Sequence, residues 1–559
     1  MDRKRPGRPR FLSTPPSPAP TAPWFHIARG DATLLLALIV AAGTASLLLG
    51  QDANWDLQNY HFYIAWAWWH GRTFTQDIAA AQVQTFHNPL LDLPFYAMVA
   101  AQWPPRLISF LLAIPAAFTA FFAYKLVLLL FRDLPRRRRA VAVACSLAVG
   151  MTSAMGIGAL GNTMNEWPLA ALIMLALWMI ASAAVGSGDG ALCRPVLLLA
   201  GAIVGVACGA KLSAATFAVG LCAALLFRGP YSSRYLRIRF TEAAWFALGV
   251  LAGMAATLGP WAYTLWTHFG NPIFPYANQW FRSPWWAHAA VPMPHPYGPQ
   301  SVGDWASFPF ELLGSRLNAV AEVDYRDGRF PLLYALALAA AVVRLVQRPK
   351  RHQVWSFASP IGAAWRIVGL FVIVSFVLWT GMFSIYRYLL PLDVLTGALI
   401  VGLLLALFPA RLAMYAAAVA AIALVATTRY ADWGHVAFGD RWFEIRVPPV
   451  EQGALVLITT GEGVSYFLPF LPPESRFVAG RNTAILDPSA ATLLADRVRE
   501  VVREHRGPLY QLTYPLTEGT DVLALHGLAR WTASCAVVVT NMPTSPLELC
   551  RLVRDPGPR

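Results

Sequence analysis

The sequence predicts a polytopic α-helical membrane protein with about eleven transmembrane helices and a small α/β domain after the last of them. Three observations carry this. The 559 residues are 57% hydrophobic and only 13% charged, with a mean hydropathy of +0.48. A water-facing surface of this size needs more charge than that. Apolar runs recur along the first 427 residues, and basic and charge-poor loops alternate between them. From about residue 428 the hydropathy pattern changes to that of short strands and one amphipathic helix.

The elements follow in order. Residues 1–29 are basic, then rich in Pro, Ser and Thr, which is the composition of a disordered cytoplasmic tail rather than a cleaved signal. Apolar runs place crossings near 31–49, 106–131, 140–160, 168–185, 196–209, 211–227, 243–266, 331–347, 362–382, 389–408 and 411–427. Arginine and lysine concentrate in the tail, in "RDLPRRRR" at 132–139, in "RGPYSSRYLRIR" at 228–239 and in "RLVQRPKR" at 344–351. Putting these inside leaves 50–105, "GNTMNEW" at 161–167 and 268–330 outside, consistently across all eleven crossings. The net charge of +14 therefore reports topology and not a nucleic-acid face. The run "NPLLDLPFYAMVAAQW" at 88–103 is apolar but short, with two prolines and an aspartate. It reads as an interfacial or re-entrant segment.

The chain thus divides into the tail 1–29, a membrane part 30–427, and an extracytoplasmic α/β domain 428–559. In the last, "ALVLITT" and "CAVVVTN" read as buried strands. "PSAATLLADRVREVVREH" reads as a helix starting at Asp487-Pro488-Ser489. It holds no phosphate loop, zinc spacing or nucleophile elbow. Cys145, Cys193, Cys208 and Cys222 fall in or beside apolar runs as small core residues. A Cys535–Cys550 disulfide is open to a domain that faces an oxidising compartment.

Candidate chemistry starts in the first loop. Asp52, Asp56 and Asp77 lie outside the hydrocarbon on this topology. "NWDLQNYHFY" sets Asp56 among aromatics, with Asn59 and His61 beside it. A carboxylate in such a wall has raised proton affinity and suits a general base. The bland reading is equally concrete: aspartates cap helices, and Trp55, Tyr60, Tyr63, Trp66, Trp68 and Trp69 form an interfacial belt. Glu166, in "GNTMNEWPLA", either faces the same site or belongs to a helix start capped by Asn162 or Asn165. Lys211 and Arg387 stand apart from the cytoplasmic clusters, at outward-facing mouths of helices. Cations there either snorkel or hold an anion such as a lipid phosphate. In the long outer segment, His268, Asn271, Tyr276 and Arg282 are further candidates among aromatics that stack on sugar rings. His288 and His295 are too far apart to argue a metal.

The order of these parts resembles the C superfamily of membrane glycosyltransferases (GT-C), of the protein O-mannosyltransferase and aminoarabinose transferase type. The features that match are a first helix, the acidic-aromatic loop, a second aspartate about twenty residues on, the run "FHNPLLD", and later "RYLLP". The likeness covers residues 31 to about 427 and stops before the C-terminal domain. By it, Asp56 stands in the place of the catalytic carboxylate and Asp77 in that of the second aspartate. His87 and Asn88, in the run that enters the next segment, are candidate substrate-binding residues together with His61, Glu166, Lys211, Arg387 and Tyr388. The sequence departs from the pattern in having Leu57 after Asp56 where an acidic pair is usual, so Asp52 remains an alternative base. The resemblance implies an enzyme that moves a hexosyl or pentosyl group from a polyprenyl-phosphate donor to a glycan, lipid or protein hydroxyl. It would invert the sugar and act at the outer face of a bacterial-type inner membrane. A divalent metal is compatible with the superfamily but not required by it. A transporter or flippase of a lipid-linked or small solute is the alternative. It expects charges at mid-span, and here they gather at the outer mouth. A scaffold reading leaves the first-loop carboxylates without a role.

Overall fold

The computed structural model describes residues 29–187, 190–229, 233–291, 297–314, 320–346, 360–481, 487, 489–514, 519–531, 534–543 and 546–555. The expected tail, most of "RLVQRPKR" and His295 lie outside these residues. A helix coincides with each apolar run. Among the described residues, eight are long and apolar enough to cross a membrane: Gly30–Leu49, Pro105–Leu130, Glu166–Ser187, Tyr235–Phe269, Arg329–Val346, Ile361–Met382, Tyr386–Leu407 and Ala410–Thr427. The helices Arg136–Met151, Arg194–Ala210 and Ala215–Phe227 are shorter. Arg194–Ala210 lies against the long helix Ser233–Phe269 along glycine-lined faces. A Cβ at Gly205 would strike the carbonyl oxygen of Val250, and one at Gly253 that of Ala202. Small residues here let two backbones touch, which is how helices pack where lipid removes the hydrophobic drive. The segment after the first loop forms a turn, Pro89–Leu91, and a helix of eight residues, Leu93–Ala100. At 1.5 Å per residue that helix is about 12 Å long and cannot span a core of about 30 Å.

After the last membrane helix the chain builds a seven-stranded sheet. Strand Leu455–Ile458 is its parallel centre, flanked by Arg476–Ala479 and Leu509–Thr513. The strands Leu547–Arg554, Ala536–Thr540 and Ile445–Arg446 then continue antiparallel. All four residues of Leu455–Ile458 are buried. Ala536–Thr540 is not the fully buried strand expected: Val538 points inward while Val537 and Val539 are exposed, because only one face of this part of the sheet is covered. The amphipathic helix is Leu493–Glu504, six residues later than expected. Its cap is Thr492, whose hydroxyl accepts from the Ala495 amide. Asp487 instead accepts from the amide and hydroxyl of Ser489 in a turn of its own. Cys535 and Cys550 are joined in a disulfide.

The first loop and this sheet share one apolar core. Leu57, Tyr63 and Phe95 pack with Trp442, Val456, Phe467 and Phe477. Gln51–Asp52 pairs antiparallel with His435–Val436, and Ile78 bridges to Val478. Tyr60 and Tyr63 are therefore interior residues and not part of a belt, whereas Trp55, Trp68 and Trp69 are exposed as a belt requires. The seam is locked by Asp77. Arg72 lies 2.8 Å from its Oδ1, and Tyr63 Oη and the Phe477 amide also donate to the carboxylate. Arg72 in turn donates to the carbonyls of Pro473 and Ser475. Replacing Asp77 with Asn leaves a buried guanidinium uncompensated. It is expected to destabilise the protein by about 3–5 kcal/mol, read as a lower thermal midpoint in detergent. An unchanged midpoint would contradict the lock.

Candidate active site

Four chain segments meet where the helices end beneath this sheet. Each brings its charge there for a local reason. Asp56 opens a π-helical turn, Leu57–His61. Asn54 sets the turn by accepting from the Leu57 amide at 2.7 Å. Lys211 breaks the chain between the helices Arg194–Ala210 and Ala215–Phe227 in an extended conformation. Glu166 is the first residue of its helix. Arg387 lies in a short turn, Tyr386–Leu389, ahead of the helix Leu390–Leu407. Helix ends and breaks are where charged side chains can be aimed at a common point without crossing lipid.

The charges pair alternately. Arg387 Nη1 lies 2.5 Å from Asp56 Oδ2, and its Nη2 is 3.5 Å from Glu322. Lys211 Nζ lies 2.6 Å from Glu166 Oε1. The Tyr388 ring sits between the cations, 4.7 Å from Lys211 Nζ and 5.5 Å from the Arg387 guanidinium. Trp433 faces the same guanidinium at 5.3 Å. Several buried polar atoms here have no hydrogen-bond partner among the described residues: Glu166 Oε2, Glu322 Oε2, Arg387 Nε, His61 Nε2, Asn59 Oδ1 and the Trp433 indole nitrogen. Native interiors rarely strand so many together, and the cluster reads as the wall of a polar ligand site.

The two aspartates left open by the sequence part company. Asp52 has both oxygens committed. Oδ1 accepts from the amide and side chain of Asn54, and Oδ2 from the amide and hydroxyl of Thr163. It ties the first loop to the loop before Glu166. Asp56 has only Arg387 as a donor, and its Oδ1 accepts no hydrogen bond from the described residues. Burial pushes the Asp56 carboxyl up, but Arg387, His61 and Lys211 outweigh it and hold the group below the usual carboxylate range. That corrects the expectation of raised proton affinity, which followed from the aromatic wall alone and lacked the cations.

The remaining candidates divide in the same way. His61 Nδ1 is 2.7 Å from Asp92, and Asn165 also donates to that carboxylate. His87 Nε2 is 2.9 Å from the Tyr276 hydroxyl. Burial and then Lys211 bring the His87 pKa down to about 4, and burial holds the Tyr276 hydroxyl above its usual range. The Tyr276 hydroxyl is therefore the donor in this bond. Asn88 is scaffold: it caps Leu90 and donates to the carbonyls of Gly209 and Thr257. Glu166 meets Lys211, while Asn162 accepts from the Met164 amide in a turn ahead of the helix and Asn165 donates to Asp92. Asp77 is spent in the Arg72 lock. Asn271 staples its own loop, and His268 and Arg282 are exposed. Asp92, Glu322 and Trp433 were missed by sequence reasoning. Asp92 closes the motif "FHNPLLD", Glu322 lies in "EVDYRDG" of the long outer segment, and Trp433 follows the last helix in "ADWGH".

Two carboxylates of the cluster each have a cation as partner, Asp56 with Arg387 and Glu166 with Lys211. Among the described residues, the group with three clustered ligand atoms is Cys535, Glu548 and Cys550, and both cysteines are consumed in the disulfide.

No protein-family model matches the chain, and no curated protein matches it. Among solved structures it is similar to ArnT from Cupriavidus metallidurans bound to undecaprenyl phosphate, at 12% identity and a TM-score of 0.44, covering 94% of this chain and 98% of that one. It is similar to the same protein in the apo state at 14% identity and 0.40, covering 93% and 98%. The Archaeoglobus fulgidus oligosaccharyltransferase tethered to an acceptor peptide containing the NVT sequon matches at 13% identity and 0.42, covering 86% and 69%. Scores at this level support no correspondence of individual residues.

Proposed function

We propose that this chain is an integral membrane glycosyltransferase. It moves a sugar from a polyprenyl-phosphate donor to an acceptor hydroxyl at the extracytoplasmic face, with inversion. The observation that carries the reading is the alternating cluster of Asp56, Arg387, Glu166 and Lys211, buried at the mouth of the helices and lined by unpartnered polar atoms. In the proposed reaction the acceptor oxygen attacks the anomeric carbon while Asp56 takes its proton. The bond from that carbon to the phosphate oxygen breaks, and its electron pair leaves with the phosphate. A phosphate needs charge stabilisation more than protonation to depart, and Lys211 and Arg387 supply it. Arg387 couples the two events. As charge grows on the phosphate it draws the guanidinium, and Asp56, still buried, gains proton affinity at the moment it is needed. One displacement inverts the anomeric centre.

An apolar cavity of about 380 Å³, lined by Leu34, Leu38, Ala120, Tyr124, Leu160 and Trp167, suits an isoprenoid chain and reaches the residue next to Glu166. The disulfide suits an oxidising compartment for residues 428–559, hence a cytoplasmic N-terminus in a bacterial-type inner membrane. The site's charges lie at helix ends and not at mid-span, which disfavours a transporter.

The test uses the purified full chain with a pool of labelled polyprenyl-phosphate sugars and a hydroxyl acceptor. Expected is a glycoside of inverted configuration, read by NMR. Movement of lipid-linked or small solutes across liposomes without any glycoside would overturn the reading.

A further inference from the structure

His61 is 1% exposed, and its two ring nitrogens are treated very differently. Nδ1 lies 2.7 Å from Asp92 Oδ1, an oxygen that also accepts from Asn165. A carboxylate accepts, so Nδ1 carries a hydrogen, and in the neutral ring Nε2 then presents its lone pair. That nitrogen is buried and has no partner among the described residues. Leaving a buried acceptor without a donor is costly, so it is better explained by a proton that arrives during the reaction than by a contact of the resting state. The π-helical turn gives it a direction. In a turn closed from residue i to i+5, residues five apart lie near one another, and Asp56 and His61 are five apart. In an α-helix that spacing would set them on different faces.

We propose that His61, backed by Asp92, is the second proton carrier of this site, taking from Asp56 the proton that Asp56 has removed from the acceptor hydroxyl. The proposal rests on the glycosyl-transfer reading above. The acceptor O–H bond breaks as that oxygen bonds to the anomeric carbon, and the departing phosphate takes the electron pair of the bond it leaves. The proton rests first on Asp56 and then on Nε2, and it ends on the phosphate dianion or on water. No oxidant or reductant enters.

The buried charges explain why the proton moves on. Once the phosphate has left, an Asp56 that is still protonated would no longer pair with Arg387, which is costly in the interior. Passing the proton to Nε2 restores the Asp56–Arg387 pair and makes a second one, imidazolium with Asp92. The other groups facing His61 do not compete. Tyr60, whose ring centroid is 4.1 Å away, is held far above its usual range by burial and by Asp56. His87 is pushed down to about 4 and is bonded to Tyr276. Lys211 and Arg387 are each already paired, with Glu166 and Asp56.

The experiment uses the full purified protein and the same labelled lipid-linked donor. His61→Ala is expected to lose about 10²-fold in kcat with donor KM little changed, and added imidazole should restore part of the rate in proportion to its concentration. Asp92→Asn should lower kcat with the same KM, as a positioning residue would. A His61→Ala protein with wild-type kcat, or one whose loss imidazole does not relieve, overturns the relay. If His61→Ala does not fold, His61→Gln decides: it should be slow in kcat with donor KM little changed, and a Gln variant with wild-type kcat overturns the relay. Failure of the wild type to transfer any lipid-linked sugar would strike the glycosyl-transfer reading itself, whereas an active wild type with an unaffected His61 variant strikes only the relay.

Discussion

Asp56→Asn is expected to lower kcat about 10³-fold, the middle of the range for a removed general base, in a protein that still folds and still binds donor. The amide is nearly isosteric and keeps a carbonyl oxygen for Arg387, which also has Glu322 at 3.5 Å. What it loses is the ability to hold a proton. The comparison with Asp52→Asn is what makes the result informative. Asp52 accepts four hydrogen bonds from Asn54 and Thr163. An amide nitrogen there would face donors and cost about 1–3 kcal/mol per stranded group. Asp52→Asn should therefore unfold at a lower temperature yet keep measurable transfer. Equal transfer in wild type and Asp56→Asn would remove Asp56 from the mechanism. Undiminished transfer in both variants would remove the first-loop base altogether. The Asp56 carboxyl sits below its usual range, so it is ionised through neutral and mildly acidic pH.

The membrane part was legible because hydropathy and the distribution of arginine are one-dimensional signals, and the helices fall on the apolar runs. Glu166, Lys211 and Arg387 were legible for a related reason: each is a charge at the end of an apolar stretch, where only pairing or a ligand makes it tolerable. Their partners were not. Asp56 and Arg387 are separated by 331 positions, and nothing local to either names the other. Asp77 shows the converse error. Its spacing from Asp56 suggested a second catalytic acid, but Arg72, five residues earlier, folds back on it, and the contacts that fix the pair come from residues 473–477. The π-turn that brings His61 towards Asp56 has no propensity signature, since it is imposed by packing against the C-terminal sheet. Trp433 was passed over because a tryptophan just after a membrane helix is ordinarily a belt residue.

The second large effect falls on Arg387. Arg387→Lys is expected to lose about 10²–10³-fold in kcat, the magnitude of a removed donor to a developing anion. Lysine keeps the charge but not the geometry. The guanidinium reaches Asp56 with one nitrogen and Glu322 with another while its face lies 5.3 Å from the Trp433 ring, and a single ammonium cannot do all three. Arg387→Met removes the charge as well. It leaves Asp56 buried and unpaired and should also cost about 3–5 kcal/mol of stability, seen in the thermal midpoint. The double variant Asp56→Asn with Arg387→Met separates the two consequences. Removing both charges relieves the unpaired one, so the double variant should unfold at a higher temperature than Arg387→Met alone. It should nevertheless remain as inactive as either single variant, because it has neither a proton acceptor nor a donor for the leaving phosphate. If the double variant regained transfer along with stability, the Asp56–Arg387 pair would be a structural strut, and the chemistry would have to be sought at Lys211 and Glu166.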